Sequence, residues 1–394
     1  MNRKNSFLQH QAQITKTPFL LEIDKAKGSY IYTKDKRKYI DLVAGVSSCT
    51  LGHSHPTIEK AIKKQLKSHT HVMVYGEFIQ DTPLQLAKSL SKHLPEKLNC
   101  TYLVNSGTEA IEGAIKLAKR KNGRKKIVSC INSYHGSTHG SLSATGNSEM
   151  KEKYKPLVPG HENIRYNNLE DLEILKNDIA AIVIEPIQGG TNFICADKIW
   201  IQKIQEKCKL HSIELIFDEI QTGFGRTGKM FGFELFNIVP DILCVAKGMG
   251  GGMPIGAFIS SKKNMDYLSN YPPLGHITTF GGHPISCAAA LATFSILKKS
   301  KIIESINTKR KLFEANLKHP IIKKIHGKGL MLALEFETQD ICEKIIKRVL
   351  EKGVITFYFL FNKTNMRISP PLNIKNQDII KACKIITTTL DNIC

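Results

Sequence analysis

The 394-residue sequence predicts an α/β fold: a mainly parallel sheet sandwiched by helices, followed by a smaller α+β domain. Three observations carry this expectation. Near-continuous apolar runs are separated by helical or irregular segments, as strands buried on both faces require. One further run follows its predecessor too closely for a parallel crossover and should pair antiparallel. A composition of 42% hydrophobic and 23% charged residues supplies enough apolar material for a sizeable core.

Residues 1–27 read as polar and irregular. Gly28–Tyr32 and Lys38–Leu42 read as two short strands around a polar turn. From Thr57 to His69, Ile58, Ala61, Ile62 and Leu66 recur at helical spacing, and 82–94 is similar. The apolar runs Thr101–Val104, Ile127–Cys130, Ile179–Ile184, Glu214–Phe217 and Asp241–Ala246 read as the strands of the main sheet. Ile255–Ile259 is the run expected to lie antiparallel. Beyond residue 290 come a helix, a strand at Gly329–Phe336, a helix over 340–352 stopped by Gly353, another strand and a last helix from Asp378.

Open α/β sheets bind ligands beyond the carboxyl ends of their strands. Five of those ends present an anion-binding turn (Ser106-Gly107-Thr108-Glu109), an aromatic residue (Tyr134, followed by His135), two acids (Glu185 and Asp218) and a lysine (Lys247). Ser106 and Glu109 are spaced as a capping box, and Gly107 keeps side-chain bulk away from free N–H groups that suit a phosphate. Alone, the same motif is an ordinary helix cap. Lys247 follows apolar residues and precedes a glycine-rich turn. Desolvation there lowers an ammonium toward the neutral nucleophile that Schiff-base chemistry needs. Alone, such a lysine is more often a surface residue with a buried stem. Together these residues match what pyridoxal phosphate requires: a lysine, a carboxylate for the ring nitrogen, a phosphate cradle and a stacking group.

Two other motifs compete. Gly223-Phe224-Gly225-Arg226-Thr227-Gly228 has dinucleotide-fingerprint spacing and raises an NAD-dependent dehydrogenase. Residues Asp218–Thr222 stand between the strand and this motif, and no clear helix opens inside it. His53 and His55 suggest a metal, but no third ligand stands at ligand spacing. The net charge of +21 raises a basic nucleic-acid binder. Arginine occurs only nine times, however, and the lysines are spread along the whole chain, as on a solvated surface. The longest apolar run, Ile285–Leu297, is too short to span a bilayer, and the N-terminus lacks a signal-peptide pattern. The expectation is a cytoplasmic protein with no membrane partner. Its ten cysteines, without any C-x-x-C pair, read as reduced and mostly core thiols.

The ordered motifs Asn105–Ala110, Tyr134–Gly136, Glu185–Gly189, Asp218–Gly228, Lys247–Ala257 and Thr278–Gly282 resemble the class III, fold-type I pyridoxal-phosphate aminotransferases. That family includes acetylornithine, ornithine and 4-aminobutyrate aminotransferases. The resemblance implies a seven-stranded-type sheet in a large domain over 51–290. Residues 1–50 would join a small domain formed with 291–394. It further implies a homodimer with a shared site, moving an amino group from an ω-amine to 2-oxoglutarate by ping-pong kinetics. Lys247 would carry the cofactor as a Schiff base and shuttle the proton, while Asp218 would hold the ring nitrogen protonated. Gln221 would contact the ring oxygen and Tyr134 would stack. Ser106, Gly107 and Thr108 would bind phosphate, with His135 and Glu185 also at the cofactor. Thr279 would reach the neighbouring subunit's phosphate, and Arg367 would clamp a substrate carboxylate. Two positions depart from the pattern. Ser137 stands where an arginine is usual. Gly190 stands where a glutamate usually pairs with the arginine, which should leave Arg367 available to every substrate. The alternative that these two departures raise is the same chemistry on another amine, such as 4-aminobutyrate or succinyl-diaminopimelate.

Overall fold

The computed structural model describes residues 2–393, so Cys394 lies outside the described residues. The central sheet has seven strands, ordered Cys100–Val104, Gly256–Ser260, Ile242–Val245, Glu214–Asp218, Ile179–Ile184, Lys126–Cys130 and His161–Ile164. The strands from Ile242–Val245 to His161–Ile164 pair in parallel, as their apolar character requires. Gly256–Ser260 lies antiparallel to both of its neighbours, as the short connection demands. The edge strand His161–Ile164 was not expected. Its polar sequence, His-Glu-Asn-Ile, suits a sheet border and lacks the apolar run by which a buried strand is recognised.

Helices cover the sheet. Gly107–Asn122 packs so closely that a Cβ on Gly113 would lie 2.3 Å from the Phe258 ring. Pro284–Lys299 packs on Pro56–Leu66 and Asp81–Ser91. In Pro56–Leu66 the inward stripe differs from expectation: Leu66 is exposed and Gln65 is buried. Gln65 turns inward because its amide is satisfied there, accepting from Thr82 Oγ1 at 2.7 Å and donating to the His69 carbonyl at 3.0 Å.

Both termini build the smaller α+β part. Ile23–Lys27, Tyr30–Thr33 and Lys38–Asp41 form an antiparallel run joined in parallel by Val354–Ile355, stitching the beginning of the chain to its end. A second sheet orders Lys324–His326, Leu332–Glu335, Asn365–Ile368 and Phe357–Tyr358. The irregular reading of residues 1–27 is thereby corrected. Arg3–His10 is a helix with no buried residue, hence no apolar stripe to betray it, and Ile23–Lys27 is a strand paired across the turn at Gly28.

The first segment also supplies an unusual turn. Ala44, Gly45, Val46 and Ser47 all have φ between 50° and 70°, a left-handed run in which each non-glycine residue costs about 1–2 kcal/mol. Its entry is held by Asp41, whose carboxylate accepts from Val43 N at 2.8 Å and Ala44 N at 3.0 Å and meets His53 Nε2 at 2.8 Å. His53 is therefore a buttress of this turn, and His55 caps the next helix by accepting from Thr57 N.

The Gly223–Gly228 segment is a loop outside any helix, so no helix N-terminus faces a pyrophosphate there. Arg226 is fully buried and donates to the carbonyls of Leu330 and Pro370, fastening the loop to the smaller part. The nine described cysteines are free thiols, six of them buried. Among the described residues no helix is long and apolar enough to cross a membrane.

Candidate active site

The strand ends open into a cavity of 660 Å³ lined by Ser106, Gly107, Thr108, Tyr134, His135, Ser137, Glu185, Gly190, Asp218, Gln221, Lys247 and Arg367. All the expected site residues except Thr279 meet there. Thr279 is exposed on a loop and touches Tyr75 Oη at 3.5 Å, away from the cavity of its own chain.

Lys247 follows strand Ile242–Val245 and begins a tight turn with φ of 37°, a strained position for a side chain with a Cβ. Surrounding protein lowers its ammonium below the ordinary lysine value, with Asp218 opposing and Arg367 assisting that shift. Its amine is thus nearer the neutral, nucleophilic form than a surface lysine's.

Asp218 ends the strand Glu214–Asp218 and is buried. One oxygen accepts from Ile220 N at 3.1 Å, and the other lies 2.8 Å from His135 Nδ1. His135 Nε2 is buried with no partner, so a neutral ring carrying its hydrogen on Nδ1 meets the carboxylate without stranding a second N–H. The His135 backbone is itself fixed by donation to Thr145 Oγ1.

The anion turn departs in detail from the expected capping box. Ser106 Oγ accepts from Glu109 N at 3.3 Å as expected. Glu109, however, accepts from the Asn105 N–H at 2.7 Å instead of returning to Ser106. The bond shifts one residue because the Asn105 side-chain amide also donates to the same carboxylate. First-turn N–H groups at Gly107 and Thr108 remain directed outward from the helix, where an anion is favoured. Gly107 meets a further demand: a Cβ there would fall 2.7 Å from Ile220 Cδ1. Thr108 Oγ1 is linked to Thr138 and Ser141 at 2.8 and 2.6 Å.

Glu185 is buried, and burial pushes its carboxyl upward while Tyr134 N and Gly189 N donate to it at 3.0 and 2.8 Å. Tyr134 is thereby set over the cavity, its hydroxyl 3.0 Å from Ser137 Oγ. Gln221 donates to Ser47 Oγ at 3.3 Å, tying the cavity floor to the left-handed turn. Arg367 Nη2 donates to the Gly189 carbonyl at 2.7 Å, and the guanidinium lies over Phe359 at 4.6 Å and Phe193 at 5.5 Å. Its Nε is buried without a partner. Burial lowers Arg367 to about 10, which keeps it cationic at neutral pH.

The sequence from residue 12 to residue 390 matches the family model described as aminotransferase class-III. The chain belongs to that family. This class-III aminotransferase is 35% identical over 385 residues to an acetylornithine aminotransferase of Clostridium acetobutylicum, covering 94% of this chain and 97% of that protein. It is 37% identical over 344 residues to the [LysW]-aminoadipate semialdehyde/glutamate semialdehyde transaminase of Sulfolobus acidocaldarius, covering 85% and 86%. Among solved structures, the ornithine aminotransferase of Toxoplasma gondii, described with partial occupancy of PLP at its active site, superposes with a TM-score of 0.90. That match has 28% identity and covers 99% of this chain and 94% of the other. The aminotransferase's cavity fits that cofactor's chemistry: a desolvated lysine amine, a carboxylate oriented by a histidine, outward first-turn N–H groups and an aromatic wall.

Sequence reasoning did not find Ser47, Val46, Phe357, Tyr358 or Leu360. Val46 and the three residues from 357 to 360 line the cavity, and Ser47 receives the Gln221 bond. Only the apolar run around Val354–Phe361 hinted at a strand, with nothing local to aim it at the site.

Proposed function

We propose that this protein transfers an amino group from an ω-amine amino acid of the acetylornithine or ornithine type to 2-oxoglutarate, with pyridoxal 5′-phosphate as its cofactor. The observation that carries the reading is that Lys247, Asp218 and the Ser106–Thr108 turn follow three strands of one sheet and line one cavity. When bound, the cofactor supplies an electrophilic aldehyde and an electron-withdrawing ring. Lys247 Nζ would supply the amine that holds the cofactor and, once released from it by the incoming amine, the base that moves a proton at the substrate carbon. Asp218, oriented by His135, would hold the ring nitrogen. Gly107 and Thr108 would hold the phosphate through backbone N–H groups, with Ser106 shaping that turn, and Gln221 would hold the ring oxygen. Tyr134 would stack on the ring, and Glu185 fixes Tyr134 and Gly189. Arg367 would orient a substrate carboxylate through its unpartnered Nε.

A homodimer completes the site. The segments around Met73–Ile79 and Tyr271–Phe280 meet near Thr279 and expose Ile79, Tyr271, Leu274 and Phe280, an apolar face suited to a second copy. Thr279 then serves the partner's phosphate site. The division into 51–290 and a small domain from 1–50 with 291–394 follows the sheets. The free thiols fit a reducing cytoplasm.

Borohydride treatment of the yellow holoenzyme should discharge its visible absorbance and leave a label on Lys247. Lys247→Ala should abolish turnover. Near-normal turnover of that variant, or a label on another residue, would overturn the reading.

A further inference from the structure

Thr138 stands at the start of the helix His139–Ala144, yet its side chain does not cap that helix. The N–H of Ser141, which a threonine in that place ordinarily satisfies, donates instead to Glu112 Oε1 at 3.0 Å. Glu112 belongs to another helix, Gly107–Asn122. The Thr138 hydroxyl is thereby released from capping and donates to the same carboxylate oxygen. Two glycines make room for the arrangement. A Cβ on Gly140 would strike the Glu112 carboxylate, and one on Gly136 would strike both Thr108 Oγ1 and Ser141 Oγ.

Three hydroxyls meet beside that carboxylate. Thr108 Oγ1 lies 2.6 Å from Ser141 Oγ and 2.8 Å from Thr138 Oγ1. Each hydroxyl has one hydrogen to give, and a carboxylate only accepts. Thr138 spends its hydrogen on Glu112, so in its contact with Thr108 it is the acceptor. Ser141 then donates to Thr108, which is nearer than the Thr138 carbonyl at 3.1 Å. The chain runs one way, from Ser141 through Thr108 and Thr138 to Glu112. In the opposite direction the Thr108 hydrogen would be committed to Ser141, which is fully buried. In the direction that Glu112 imposes, it is offered to the exposed Thr138, and an anion in the cavity outcompetes that neutral oxygen for it. Thr108 lines the cavity, whereas Glu112, Thr138 and Ser141 stand behind it.

We propose that Glu112 is a positioning residue for the cofactor's phosphate, fixing the direction of the Ser141–Thr108–Thr138 chain so that the Thr108 hydroxyl donates to that phosphate. This rests on the aminotransferase reading above. It adds a side-chain donor to the backbone N–H groups of the turn, and a residue outside the cavity that controls it.

The test titrates the full chain, freed of cofactor, with pyridoxal 5′-phosphate and with pyridoxal, which lacks the phosphate, reading the visible absorbance. The wild type should bind the phosphorylated form far more tightly. Glu112→Ala should weaken pyridoxal phosphate by about tenfold or more and leave pyridoxal within about twofold. Glu112→Gln, which keeps an acceptor oxygen, should recover most of that loss. Thr138→Val removes the hydroxyl link but leaves Ser141 N bonded to Glu112, so it keeps the helix capped, and it too should lose affinity for the phosphorylated form alone. Thr108→Val should show the same loss, and adding Glu112→Ala to it should cost nothing more, because one residue acts through the other. If the wild type binds neither compound, or both alike, the reading of the site itself fails. If the wild type distinguishes them, the role of Glu112 is overturned by any of three results. These are equal weakening of both compounds in Glu112→Ala, unchanged affinity in a well-folded Thr138→Val, or additive losses in the Thr108→Val, Glu112→Ala double variant.

Discussion

His135 Nδ1 lies 2.8 Å from Asp218 Oδ2, and both side chains are buried beneath the cavity floor. A buried carboxylate that has given up water needs a donor in its place. The placement of Asp218 thus rests on a histidine that has its own backbone anchored to Thr145.

Removing that donor should matter in a direction that can be stated beforehand. His135→Leu leaves the Asp218 carboxylate one hydrogen bond poorer and unfixed on that side. Cofactor affinity should weaken, and kcat at saturating cofactor should fall on the order of 10- to 100-fold, as for outer-shell partners of metal ligands. His135→Asn, which retains an N–H donor, should recover part of both. A well-folded His135→Leu with unchanged cofactor affinity and kcat would show that the ring only fills space.

The Asp41–His53 pair should make stability pH-dependent. Asp41 pushes the His53 imidazole up to about 10, above its ordinary 6.5. A folded value raised in this way contributes stability that is fully present below about pH 6.5 and is lost as pH climbs through about 10. Asp41→Asn should cost about 3 kcal/mol near pH 6, as breaking a buried pair does. Its gap in melting temperature from the wild type should then narrow steadily toward pH 10. A constant gap across that range would contradict the pairing.

Thr279 offers a test of the shared site. In the proposed shared site, Thr279→Ala would remove a hydrogen bond to a charged group, worth about 1.5–3 kcal/mol, and should weaken cofactor binding accordingly at limiting cofactor. Mixed with Lys247→Ala, subunits that exchange partners should regain activity, because one site of each mixed dimer then has both residues intact. No gain on mixing, with exchange verified by mass, would place Thr279 in the site of its own chain.

Much of this site was legible because the chemistry sits where apolar runs end. Five strands announced themselves by continuous apolar sequence, and the residues following them line one cavity. What escaped notice lacked a local signal. His161–Ile164 is polar because it is an edge. The left-handed run at Ala44–Ser47 contains a single glycine, and its conformation is imposed by Asp41 and by Ser369, whose N–H donates to the Leu42 carbonyl at 2.7 Å. Gly190 was noticed as an absence of charge, but its seat for Phe361 depends on two segments that only the folded chain brings together. Gly107 was recognised as necessary, though the neighbour that demands it, Ile220, lies on another strand end.

The antiparallel strand Gly256–Ser260 lies between the strand that leads to Lys247 and the strand that leads to Ser106, hydrogen-bonded to both. It therefore works as a gauge block. Two ladder spacings, about 10 Å, separate the two strands that position the amine and the anion turn. The sheet measures the length of what can bridge them before any side chain reads its identity. Gly256 keeps the block thin where it meets the turn, since its Cβ would fall 2.3 Å from the Ser106 carbonyl oxygen. A substitution there would keep the identity of every residue lining the cavity and still spoil the fit, by displacing the Ser106 turn relative to Lys247.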